Sequence, residues 1–191
     1  MKKLMLIAAA FITLSAFTAI NSLWKNDPPH TQLGFTVTHL GINDVTGYFR
    51  DFEVSIESTK PDFTDAVFTL TAKTASIDTR VEQRDNHLRS ADFFDVEQYP
   101  ALNFKSTSIK KGAKNTYKLA GELTLHGVTK PVIMDLEYRG TTANPMSKKP
   151  TAGFRLTGTI KRSDFGIGTK FPATLVSDDV RIKADGEFTQ P

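Results

Sequence analysis

Val180-Arg181-Ile182-Lys183-Ala184-Asp185-Gly186-Glu187-Phe188 places a charged residue at every second position and small or apolar residues between them. A helix would spread those charges around its whole circumference. A period of two instead describes a strand with one wet face and one buried face. The same alternation recurs upstream. It runs through Leu33–Val37, Phe52–Ile56, Phe68–Ala72, Leu102–Phe104, Tyr117–Leu125, Val132–Tyr138 and Phe154–Ile160. Together these make eight half-buried strands, the pattern of an all-β, antiparallel protein. Eight antiparallel strands can close into a barrel, which removes exposed edges. A two-sheet sandwich shows the same alternation, so periodicity alone leaves both architectures open.

The interruptions carry information too. Phe49 and Phe52 lie three apart, so the apolar phase slips in the second strand, as a β-bulge would make it. Gly34, Gly121, Gly158 and Gly186 lie within strand patterns, where glycine marks a bend or a close approach. Thr79–Asp95 has no alternation and many charges; it reads as a short helix over Val81–Arg89, between the third and fourth strands, with a turn from Ser90. Val81, Arg84, Asp85 and Leu88 would share one face of it. Thr141–Pro150 reads as a loop, and Arg162–Val176 as a longer irregular connection.

At the N-terminus, Lys2 and Lys3 precede the apolar run Leu4–Phe17 and a small-residue stretch to Ser22. That is the layout of a cleavable secretory leader. The run is shorter than the roughly 20 residues of a membrane span. Cleavage is expected after Ser22, or after Ala19. Removal of residues 1–22 leaves 22 basic and 21 acidic residues, a net charge of +1, and one domain over residues 23–191. Near-neutrality gives no electrostatic reason to expect nucleic acid. No later apolar run has spanning length. The chain has no cysteine, which excludes disulfides, thiolate metal sites and a cysteine-linked lipid anchor. The expected location is periplasmic or secreted.

Catalytic signatures are scarce. The histidines, His30, His39, His87 and His126, show no helical ligand spacing, so no metal site or cofactor is expected. A G-x-S-x-G elbow and a phosphate-binding glycine loop are both missing. Arg84, Asp85, His87 and Arg89 form one polar concentration. It could clamp a polar head group, supply an acid–base pair through Asp85 and His87, or simply close one end of the fold. No catalytic residue is assigned.

Fourteen phenylalanines are many for a domain of this size. Strand phase places Phe35, Val37, Phe52, Val54, Phe104, Leu119, Leu123, Met134, Leu136, Phe154 and Ile160 on the inward wall. An eight-stranded barrel can be filled by such side chains or hold one small ligand. Composition does not decide between them, and Gly121 and Gly158 on inward phases favour a cavity.

Three stretches resemble a known family. The first is His30-Thr31, Gly34-Phe35, His39-Leu40-Gly41 and Gly47-Tyr48-Phe49. The second is Ile77-Asp78-Thr79, then Arg84-Asp85-Asn86-His87-Leu88-Arg89-Ser90-Ala91-Asp92-Phe93-Phe94, ending in Tyr99-Pro100. The third is Gly121-Glu122-Leu123-Thr124-Leu125-His126-Gly127-Val128-Thr129-Lys130-Pro131-Val132, followed by Arg162-Ser163-Asp164-Phe165-Gly166-Ile167. They are similar to signatures of the YceI-like, lipocalin-like, polyisoprenoid-binding family of exported bacterial proteins. The departures are small: Thr31 stands where serine is usual, and His126 at a position that varies. The resemblance implies an extended eight-stranded antiparallel lipocalin-like barrel around an elongated apolar tunnel. It also implies long isoprenoid or fatty-acyl ligands and dimers in some members. The resemblance does not name the residues that touch the ligand; Arg84, Asp85 and His87, from the polar concentration, are the candidates for head-group or barrel-end contacts. The leading expectation is non-catalytic lipid carriage or sequestration. The rivals are a lipid-acting enzyme using Asp85 and His87, and a stress-response interaction protein with a filled barrel.

Overall fold

A computed structural model describes residues 22–191. Residues 1–21 of the expected leader, with the Ala19 cleavage point, lie outside the described residues. Eight antiparallel strands follow one another around a closed ring. β1 is Ser22–His39. β2 has two segments, Asn43–Phe49 and Phe52–Ser58. β3 comprises Val67–Lys73 and Ile77–Asp78, joined by a 3-10 turn at Thr74–Ser76. β4 is Ala101–Lys111, β5 Thr116–Leu125, β6 Val128–Ala143, β7 Pro150–Lys161 and β8 Asp179–Thr189. Each strand pairs with the next, and β8 pairs with β1, so the barrel closes. The sandwich is excluded.

The expected phase slip in β2 is a break at Arg50–Asp51. Arg50 N donates to Ser76 O at 3.1 Å, and Lys73 N to Asp51 O at 2.9 Å. The kink in β2 therefore meets the 3-10 turn of β3, and both strands bend together there. β1 begins ten residues before the alternation at Gln32 shows it, with Ser22 already paired to Ser58 and Trp24 buried. Pro28 and Pro29 hide it in the sequence. They fit because the β1–β8 register shifts between Asn26 and Thr31, where no ladder donor is needed. The loop expected over Thr141–Pro150 is shorter: Thr141, Thr142 and Ala143 pair with Ala152, Thr151 and Pro150. Pro150 can open β7 because a strand's first residue need not donate.

Two of the strand glycines mark close approaches, as expected, but they do not open the cavity. A Cβ at Gly121 would lie 2.5 Å from the Phe104 ring, and one at Gly158 would overlap Met134 Sδ. These glycines seat large side chains from the neighbouring strand; they do not vacate space.

The two ends of the barrel are built differently. At one end the loop between β2 and β3 drives Phe63 into the interior, where it is 2 % exposed. Its ring lies 5.5 Å from Trp24, 5.1 Å from Tyr138 and 5.0 Å from Phe154. Tyr117 closes the same end by donating to Asp62 O at 2.6 Å. At the other end the helix α1, Glu82–Arg89, lies between β3 and β4 as the sequence predicts, with Val81 as its N-cap. The connection from β7 to β8, which starts with a 3-10 turn at Arg162–Phe165, covers the rest of that end.

Candidate functional site

Between the Phe63 end and the helical end lies a cavity of about 540 Å³. That is within the roughly 300–1,000 Å³ typical of small-molecule sites. All eleven residues assigned inward by strand phase line it, from Phe35 and Val37 on β1 to Phe154 and Ile160 on β7. Val54 and Leu70 are phased inward yet remain half-exposed, because they face the void. Ile56, two residues beyond Val54 on the same face, is fully buried against the aromatic end. The interior is therefore hollow near α1 and solid near Phe63.

The wall is almost wholly hydrocarbon. Among the described residues no buried side-chain nitrogen or oxygen lacks a hydrogen bond. Nothing in the buried wall therefore calls for a polar partner, and water has little to hold on to there. The exposed wall residues Asn43 and His87 mark where the cavity reaches the surface at the α1 end.

The polar cluster on α1 divides into separate parts. Asp85 is buried and does not line the cavity. Its Oδ1 accepts from Thr79 N at 2.9 Å and from the Thr79 hydroxyl at 2.5 Å. Of the two expected alternatives, Asp85 therefore makes a barrel-end contact and not a head-group contact. Arg84 does reach the wall, with Nε donating to Thr79 Oγ1 at 2.7 Å and Nη2 to Thr79 O at 2.8 Å. His87 also lines the cavity, with Nε2 3.4 Å from Asp92 Oδ2 and its ring against Phe93 and Phe171. Asp85 and His87 do not form an acid–base pair, because residues two apart on a helix point in different directions. Arg89 instead ties the helix to the β3 turn, donating to Ala75 O and Ile77 O at 2.8 Å each.

Sequence reasoning missed Arg162. It is 7 % exposed, lines the cavity, and donates to five backbone carbonyls: Ser177, Ile167, Gly168, Phe171 and Val176. No local pattern shows this, since all five acceptors are main-chain atoms of an irregular loop. Phe171 was also missed; it stacks on Phe93 at 4.8 Å to roof the cavity. Neither Arg84 nor Arg162 makes a salt bridge among the described residues. Two guanidinium charges thus stand at the helical end, while the opposite end is aromatic.

Two histidines lie elsewhere. His126, in the β5–β6 turn, contacts Phe165 O at 3.1 Å and the Tyr99 ring at 4.5 Å, away from the cavity. His30 meets Asp27 and Glu187 across the β1 irregularity, with ligand atoms within 4.8 Å of one another. This largely exposed group contains a direct His30–Asp27 hydrogen bond at 2.8 Å.

Residues 24–188 match the model of the YceI-like domain. A UPF0312 protein of Photorhabdus laumondii is 36 % identical over 187 residues, covering 97 % of this chain and 96 % of its own length. A YCEI protein of Campylobacter jejuni superposes with a TM-score of 0.74 at 34 % identity, over 81 % of this chain and 90 % of that one. A polyisoprenoid binding domain from Saccharophagus degradans, implicated in plant cell wall breakdown, shares the fold with a TM-score of 0.65 at 15 % identity, over 90 % of this chain and all of that one. From the closed eight-stranded barrel and these matches, the chain belongs to the YceI-like domain family.

Proposed function

We propose that this protein binds one long apolar molecule, of the isoprenoid or fatty-acyl class, in the barrel interior and carries or sequesters it without chemical change. The hydrocarbon-walled cavity of about 540 Å³ carries this reading. Each methylene moved from water into such a wall contributes roughly 0.8 kcal/mol. Ten of them give about 8 kcal/mol gross, before the entropy of association is subtracted. The polyisoprenoid-binding description of the Saccharophagus domain is in keeping with this class of ligand.

The ligand lies with its tail toward Phe154 and its polar end toward Arg84 and His87. The Arg84 guanidinium, which makes no salt bridge among the described residues, favours an anionic head there. The N-terminal pattern supports an exported, periplasmic or secreted protein.

Native mass spectrometry of gently purified protein tests the central reading. A co-purifying apolar molecule, or uptake of added prenyl alcohol or fatty acid at one per barrel, is expected. A clean apo mass that takes up neither overturns it. Cell fractionation with N-terminal sequencing tests export, since a protein retaining residues 1–19 in the cytoplasm would refute it.

A further inference from the structure

The cavity has a floor, and one residue backs it. Phe68 of β3, Phe154 of β7 and Phe188 of β8 are cavity-lining rings at the closed end. Phe154 lies edge-on to Phe68 at 5.5 Å and to Phe188 at 5.7 Å. Behind them stands Phe63, 5.0 Å from Phe154 and outside the cavity wall. It belongs to no strand. It is delivered by the Thr59–Ala66 loop, which Asp65 holds by accepting from the Ser58 hydroxyl at 2.6 Å and Thr59 N at 3.0 Å. Phe63 N donates to Lys60 O at 3.1 Å, so the loop carries its own support.

We propose that Phe63 is a specificity-determining residue: by backing Phe154 it fixes the length of chain that the barrel accepts. This rests on the proposed lipid-binding reading. At about 30 Å³ per heavy atom, close to water's share of liquid volume, the cavity of about 540 Å³ holds about 18 of them. That suits a fatty acid of about 16 carbons with its two oxygens, or a prenyl alcohol of about three isoprene units. A longer chain must leave its surplus outside, where added methylenes are not fully buried. Affinity therefore rises about fourfold per methylene up to that length and then levels.

The test is competitive displacement of a fluorescent fatty acid by saturated fatty acids of graded length, and separately by prenyl alcohols. Wild type, Phe63→Ala and Phe63→Leu are compared. Wild type should show a break in the fatty-acid series at about 16 carbons. Phe63→Ala removes about six carbon atoms behind the floor, into which Phe154 can partly relax, so the break should move out by about four carbons. Phe63→Leu should move it by one or two, and it serves as the reading if Phe63→Ala fails to fold by circular dichroism. A folded variant with an unmoved break, or a wild-type series without a break, overturns the floor while leaving lipid binding intact. A wild type that binds neither the fluorescent fatty acid nor any unlabelled chain overturns the carrier reading itself, and the floor with it.

Discussion

The Thr79 hydroxyl donates to the Asp85 carboxylate at 2.5 Å and accepts from Arg84 Nε at 2.7 Å, so one threonine at the end of β3 fastens two neighbouring residues of α1. The acid is thereby structural, while the guanidinium beside it reaches the cavity.

Asp85→Ala leaves the Thr79 N–H and hydroxyl without their acceptor in a buried place. Stability should fall by about 2 kcal/mol in urea denaturation. The fraction still folded should bind lipid with unchanged stoichiometry. Unaltered stability, combined with loss of a chemical conversion of bound lipid, would favour the enzyme reading.

Arg84→Gln should weaken binding of a fatty acid about tenfold and leave the corresponding fatty alcohol nearly unchanged, because only the carboxylate senses the lost charge. Calorimetry with the matched acid–alcohol pair reads this. Equal weakening of both would place the head group elsewhere.

Val54 and Ile56 share one face of β2, yet one meets the void and the other solid packing. Val54→Phe should cost less than about 1 kcal/mol and compete with the ligand for space. Ile56→Phe should cost about 1–3 kcal/mol, because overpacking strains its neighbours. Equal costs at the two positions would mean that the interior is filled throughout.

Gly158→Val forces a side chain into the space of Met134 Sδ and should lower stability by about 2 kcal/mol. Adding Met134→Ala to that variant should recover part of the loss, as measured by the urea midpoint. Additive losses would show that the two sites do not meet.

Burial alone would raise the Asp65 carboxyl, but hydrogen bonds from Ser58 and Thr59, and from the Lys60 backbone, outweigh it and hold the group well below the ordinary carboxylate range. A lowered folded value means that ionised Asp65 stabilises the native state above about pH 4, its ordinary value. That contribution is lost as the pH falls toward the folded value. The urea midpoint should therefore drop between about pH 4 and pH 2, and Asp65→Asn should flatten that part of the curve. An identical acid profile in the variant would remove Asp65 from this role.

Much of the wall was legible because a strand's side chains alternate strictly. Once Val132, Met134 and Leu136 are in phase, their common face follows from geometry alone. The helix was legible as a highly charged stretch without that alternation. Arg162 was not legible, since its partners are carbonyls that no residue type reveals. Nor was the register shift around Pro28 and Pro29, because two prolines read locally as the absence of a strand.

The order of polar and apolar residues determined eight strands and the face each turns inward, since that depends only on neighbours along the chain. Whether those faces would meet one another or leave room between them depended on how rings from distant segments stack. Phe63, Phe154 and Trp24 fill one end of the barrel, while toward the other end the described residues leave the cavity of about 540 Å³. That outcome belongs to the closed sheet, because a barrel's radius is set by its strand number and stagger and not by the volume of the side chains inside it.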